Sequence, residues 1–261
     1  MKAILLNSIL AVQAQRRRQD DERLSGILLT GGWNGVNQFV NPHTDAKARV
    51  VDFELEPMWG PASAVFRNRV FIFGGRNKNG VSDRTQIYDP HLDNAFPGKP
   101  MHSPRRWHSA VLLGVRIYVC GGTDNDGEAL DSCERYNVTE HTWELVQPMP
   151  LGGRYAHSAA AMDGRMYVIG GWNGREFLND LLIYDTAQPQ RPWSHGSRGM
   201  NQPRMAAAAV AYHGHLIVCG GWLNSQRLAT CEIYSPFMNR SVSRARGVCV
   251  PGLETCSWPG W

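Results

Sequence analysis

Charge of one sign, long apolar runs and metal-type cysteine spacing are all scarce in this chain. Charged residues make up 19% of the 261, and the net charge of +4 comes without a dense Lys/Arg stripe. Nucleic acid is therefore not the expected partner. No stretch approaches the roughly 18 consecutive apolar residues of a membrane helix, so no membrane association is expected. The six cysteines, Cys120, Cys133, Cys219, Cys231, Cys249 and Cys256, include no CxxC pair, the usual sequence sign of a zinc or redox site. A nucleophile elbow, a phosphate loop and a carboxylate pair are missing too. Disorder is excluded from the other side, because 43% of the residues are hydrophobic.

Glycine is abundant, at 27 residues, and it is patterned. Strand-like runs end in a glycine pair five times: ILLTGGWNG, RVFIFGGRN, RIYVCGGTD, RMYVIGGWNG and LIVCGGWLN. The pairs are Gly31–Gly32, Gly74–Gly75, Gly121–Gly122, Gly170–Gly171 and Gly220–Gly221, with gaps of 43, 47, 49 and 50 residues between first glycines. A period of that size marks an array of one supersecondary unit. Four copies place a tyrosine 14 or 15 residues after the first glycine: Tyr88, Tyr136, Tyr184 and Tyr234. Two then add Trp143 and Trp193.

Each unit reads as strands. HSAAAM, the turn signal Asp163-Gly164 and RMYVIGG make a hairpin; LNDLLIYD is a third strand, and the segment around Trp193 a fourth. No helix of useful length fits between the glycine pairs. A four-stranded antiparallel sheet repeated at this period is a propeller blade. The glycines then serve where the chain turns and backbones approach closely, since a Cβ would clash there. The tyrosines and tryptophans fill the space between blades. Both sets are read as structural.

This pattern resembles the kelch repeat over residues 24 to about 238, and RYAHSAAAMDGRMYVIGGWNG looks most like the kelch-like group. The resemblance implies an all-β kelch-type propeller with about five recognisable four-stranded blades, the first partial and a sixth missing or supplied elsewhere. It also implies a protein-interaction module. Kelch-like proteins carry BTB and BACK domains ahead of the propeller; they commonly serve as substrate adaptors of cullin-3 ubiquitin ligases, and some bind actin. No BTB or BACK sequence is found here, so cullin-3 is expected only through a longer form or a partner carrying BTB. The first copy departs from the pattern, with Phe53 expected where the tyrosine belongs. After Tyr234 no fourth strand is recognised.

The expected organisation is an N-terminal tail or linker remnant over 1–23, the propeller over 24–238 and an irregular tail over 239–261. Two readings of the first residues stand. They are a helix remnant of a cytoplasmic protein, or a signal peptide cleaved after Ala14. Cys120 and Cys219 occupy slots held by Phe73 and Ile169 in sister copies, so reduced core cysteines are expected; disulfides Cys120–Cys133 and Cys219–Cys231 are the alternative, since each pair can be near neighbours on adjacent strands. The sequons at Asn137 and Asn239 matter only if the chain is secreted.

An enzyme is not expected, nor a cofactor or metal. Some kelch propellers are enzymes; an actin- or cytoskeleton-binding kelch protein and a secreted carbohydrate-active propeller enzyme are the two alternatives. Copper would need clustered His and Tyr, whereas His108 and His157 are equivalent packing positions and His213-Gly214-His215 is a turn. The resemblance places binding residues in the loops after the glycine pairs and in a second ring ahead of them. Trp33, Arg76, Thr123, Trp172 and Trp222 hold the first positions and Trp59, Arg106, Trp107, Tyr155, Ala156 and Met205 the second. Tryptophan and arginine dominate interface hot spots, and arginine suits an acidic protein or peptide ligand. The tryptophans read equally as blade packing.

Overall fold

The structure is a computed structural model that describes strand backbones before residue 58, then 58–89, 92, 94–196, 199–236 and the backbone of 240–244. Every described element is a strand or a turn. The chain divides into two compact units, Met1–Tyr155 and Ala156–Trp261.

The first unit holds three four-stranded antiparallel sheets. The first sheet is β1 (Ile9–Gln13), β2 (Ser25–Leu29), β3 (Gln38–Val40) and β4 (Arg49–Val50). In the second, β5 (Ala62–Phe66) and β6 (Arg69–Phe73) lead into a short hairpin, β7 (Arg76–Asn77) and β8 (Gly80–Val81). The sheet closes with β9 (Thr85–Asp89) and β10 (Asn94–Pro97). The third is β11 (Ser109–Leu113), β12 (Arg116–Cys120), β13 (Cys133–Asn137) and β14 (Thr142–Val146). The second unit holds two. The fourth sheet is β15 (Ser158–Met162), β16 (Arg165–Trp172), β17 (Phe177–Asp185) and β18 (Trp193–His195). The fifth starts with β19 (Ala208–Tyr212) and β20 (His215–Cys219), continues through the hairpin β21 (Trp222–Leu223) and β22 (Gln226–Arg227), and ends with β23 (Cys231–Ser235) and β24 (Arg240–Arg244).

Period-two alternation decides which side chains meet. In the first unit, Ala64, Phe71, Phe73 and Ile87 of the second sheet share a buried cluster with Ile117, Val119, Tyr136 and Val138 of the third. Tyr136 is fully buried, with the rings of Phe73 and Trp143 at 6.1 and 5.0 Å. Burial pushes its phenol up to about 12. In the second unit, Ala160, Met162, Tyr167, Ile169 and Leu181 of the fourth sheet meet Leu216, Val218 and Tyr234 of the fifth, with Ala207, Ala209 and Ala211 against them. Small residues on β19 let the two sheets approach. In the fourth sheet Tyr184 meets Trp193 edge-on at 4.9 Å.

The strands extend beyond the limits expected from sequence. Residues 9–13, read as tail, pair in register along β2. Residues 240–244 supply the fourth strand not recognised after Tyr234, pairing with β23. In the first sheet the third strand is β3; Phe53, Gly31 and Gly32 lie outside the described residues.

The expectation of reduced core cysteines is overturned. Cys120–Cys133 and Cys219–Cys231 are disulfides. The register sets each pair directly opposite across antiparallel strands, with Cα atoms 4.2 and 4.1 Å apart. Cys249 and Cys256 lie outside the described residues.

Candidate functional site

The glycine pairs organise the loops that carry the site. In all four described pairs both glycines have positive φ, 61° and 101° at Gly170 and Gly171, where a side chain is strained. A close approach makes the first glycine necessary. A Cβ on Gly170 would meet the Arg204 carbonyl oxygen at 2.6 Å and the Leu178 carbonyl oxygen at 3.0 Å. The second glycine donates its N–H to that same carbonyl, as Gly171 does to Arg204, Gly75 to Arg105 and Gly122 to Arg154. In these three repeats the pair is thus the seat for the loop that carries the next buried arginine.

The residues on those seats are a buried arginine series missing from the sequence expectations. Arg105, Arg154 and Arg204 are at most 1% exposed. Arg105 donates to the carbonyls of Gly121 and Ser132 and to Glu134 Oε1 at 2.7 Å. Arg204 repeats this with Gly220, Thr230 and Glu232 Oε1 at 2.6 Å. Each glutamate also accepts the N–H groups that open the loop: His102 and Ser103 for Glu134, Asn201 and Gln202 for Glu232. A signal existed in the sequence. Both bonds to a first glycine span 16 residues, and Arg154 stands at the same offset from Gly170.

One residue after each buried anchor sits a side chain of the candidate site. The triplets are Met58-Trp59-Gly60, Arg105-Arg106-Trp107, Arg154-Tyr155-Ala156 and Arg204-Met205-Ala206. Their middle residues meet the residues that follow the glycine pairs. Backbone bridges join Trp59 to Arg76, Arg106 to Thr123 and Met205 to Trp222. At these three places residues of the two rings expected from sequence are hydrogen-bonded partners.

In the first unit these loops gather Trp59, Arg76, Arg106, Trp107 and Tyr155. The Arg106 guanidinium lies 4.1 Å from the Trp107 ring centroid. Trp107 stacks on Tyr155 with centroids 5.7 Å apart. Trp107 also lies against Gly60, where an added Cβ would overlap the indole. Trp59 is 48% exposed and Arg76 is exposed. Burial first, and then the Arg76 charge, hold the Arg106 guanidinium below its ordinary value. Among the described residues no carboxylate pairs with Arg76 or Arg106, in contrast to the ion-paired Arg69, Arg105, Arg135, Arg165 and Arg204.

In the second unit, Trp172 meets Phe177 edge-on at 4.6 Å. Met205 pairs with Trp222, and Arg227 lies 5.3 Å from the Trp222 ring. Trp33 lies outside the described residues. No cluster of three His, Cys, Asp or Glu positioned for a metal occurs among the described residues. The His213-Gly214-His215 segment is a tight turn, with φ of 46° at His213 and 72° at Gly214.

Repeated four-stranded antiparallel sheets, with a glycine pair in left-handed backbone in each of the last four, define a kelch-type β-propeller. The KLHDC2/KLHL20/DRC7 Kelch-repeats domain model matches residues 60–240, and the chain belongs to that kelch-repeat family. It is 26% identical over 213 residues to human Kelch-like protein 15, covering 70% of this chain and 35% of that protein. It is 29% identical over 148 residues to Kelch-like protein 36 of Bos taurus, covering 53% of this chain and 24% of the relative. The chain thus spans about a third or less of the curated relatives it matches. The solved structure of YjhT shares the fold, with a TM-score of 0.71 at 13% identity over 84% of this chain and 81% of that one.

Proposed function

We propose that this chain is a recognition module that takes an acidic protein or peptide segment on the face made by Trp59, Arg76, Arg106, Trp107 and Tyr155. One observation carries the reading. Among the described residues Arg76 and Arg106 have no carboxylate partner and the Arg106 guanidinium lies on the Trp107 ring, while the buried Arg105 and Arg204 are paired with glutamates. Like charges held together favour a ligand that brings negative charge, and a guanidinium offers a carboxylate two parallel donors. Kinship with the kelch-like proteins supports a cytoplasmic, non-enzymatic role as the substrate-recognising part of a cullin-3 ubiquitin-ligase adaptor, with BTB supplied by a longer form or a partner chain.

Fluorescence anisotropy with a labelled oligoglutamate peptide tests the face, with an oligolysine peptide as control. Arg76→Ala and Arg106→Ala should each cost about 1–2 kcal/mol of binding and shift stability by less than about 0.5 kcal/mol. Equal binding of both peptides, or variants that bind like wild type, would refute the acidic-ligand reading. Co-precipitation of cullin-3 that requires a BTB-bearing partner tests the adaptor role.

A secreted protein is the second reading, favoured by the two disulfides, which persist in oxidising compartments. Asn137 gives it little support: the residue is buried and its Oδ1 accepts from Thr139 and Glu140. Expression in a secretory host decides, through cleavage after Ala14 or its absence.

A further inference from the structure

We infer that Trp107 is a positioning residue: its indole fixes the Arg106 guanidinium in the orientation that grips one carboxylate or phosphate group. The inference rests on the acidic-ligand reading and begins with the backbone. The third residue of each site triplet is left-handed: φ is 64° at Gly60, 55° at Trp107, 50° at Ala156 and 51° at Ala206. Three repeats fill that strained position with the two smallest residues, and one fills it with the largest. A bulky residue at positive φ is an outlier whose cost persists only where something else over-determines it. The fold does not ask for an indole there, because the sister repeats turn without one.

What the indole touches supplies the reason. Its edge rests on Gly60, Tyr155 stacks on it, and the Arg106 guanidinium lies over it at 4.1 Å. Arg106 Nε donates to Thr123 Oγ1 at 3.2 Å, and Thr123 is 1% exposed. The guanidinium is thus held through its face by Trp107 and through Nε by a buried hydroxyl. Its two terminal nitrogens form no hydrogen bond among the described residues, and they are the fork that meets two oxygens of one anion. Holding that fork flat before binding reduces the ordering cost of the complex. Gly60, the smallest residue of the series, clears the space the indole occupies.

Trp107→Ala, Trp107→Gly, Trp107→Phe and Arg106→Lys test this by anisotropy with labelled oligoglutamate, competition by inorganic phosphate and thermal melting. Trp107→Ala, Trp107→Gly and Arg106→Lys should each weaken oligoglutamate binding about tenfold, and Trp107→Phe should restore most of it. Competition by phosphate identifies a generic anion fork; its absence assigns the fork to carboxylates. Trp107→Gly should also melt above Trp107→Ala. That order reverses the usual one and reports the left-handed backbone without any ligand. If Arg106→Lys weakens binding while Trp107→Ala does not, the positioning role is wrong and the acidic-ligand reading survives. If wild type ignores oligoglutamate, both fall. A glycine variant that melts below the alanine variant also overturns the inference.

Discussion

The third and fifth sheets carry the same equipment in different surroundings. Each has a buried arginine on a glutamate, Arg105 on Glu134 and Arg204 on Glu232, and each has a cystine across its second and third strands. In the third sheet both cysteines are fully buried; in the fifth they are partly exposed. The fifth sheet differs from the fourth in the same way. Ala160 and Met162 are buried, while Val210 and Tyr212, 50 residues on, are 55% and 62% exposed. The buried arginine and its glutamate recur in both sheets, whereas Leu182 takes the glutamate's register in the fourth. Burial of a sheet's outer face is set by what lies against it.

Several substitutions would break or sharpen that contrast. The anchors should respond most. Glu134→Ala leaves a buried guanidinium without its counter-charge and should cost about 3–5 kcal/mol, read by urea unfolding. Glu232→Ala should fall in the same range, because side-chain exposures of 1% and 3% in that pair show an anchor as buried as the third sheet's. A fifth-sheet variant with no measurable cost would show that the anchor needs a covered face.

The glycines should separate next. Gly170→Ala combines positive φ with an overlap on two carbonyl oxygens and should lose about 2–3 kcal/mol. Gly220→Ala shares the strain at φ 70°, but its nearest contact is the Leu228 carbonyl oxygen at 3.7 Å, and it should lose about 1 kcal/mol. Equal losses would mean that the seat for the next repeat contributes nothing. The outer faces come third. Met162→Ala should cost about 2 kcal/mol or more and Tyr212→Ala less than about 0.5 kcal/mol, both by thermal melting.

The smallest effect is acid sensitivity. Burial raises the Glu232 carboxyl, but the Asn201 and Gln202 amides and the Arg204 guanidinium outweigh it and hold the group below its ordinary 4.5. Its folded value lies below its unfolded one, so its stabilisation is complete above about pH 4.5 and fades as pH falls through the depressed value. Melting between pH 6 and 3 should therefore show a shallower decline in Glu232→Gln than in wild type.

Much of the scaffold was legible in the sequence, because glycine pairs, alternation and a fixed offset to tyrosine are local and periodic. The anchors were less so. In SPRRWHS the neighbours Arg105 and Arg106 are chemically identical, and only the packing shows that one is buried on Glu134 while the other lies on Trp107. Residues 9–13 and 240–244 form strands by pairing with β2 and β23; neither segment carries the repeat's punctuation. The disulfides stood second to reduced cysteines for another reason. An apolar slot and a cystine look alike until the register sets two sulfurs opposite each other.

The spacing of 50 residues between equivalent faces has a consequence during synthesis. Each sheet closes its hydrogen bonds among strands of its own repeat, so it can form as soon as those strands have left the ribosome. The face carrying Met162 and Tyr167 must then wait for Ala207, Ala209 and Ala211 to arrive. At about 5–20 residues per second that wait lasts roughly 2–10 seconds. For those seconds the nascent fourth sheet exposes that apolar face, a stage in which a chaperone can hold it.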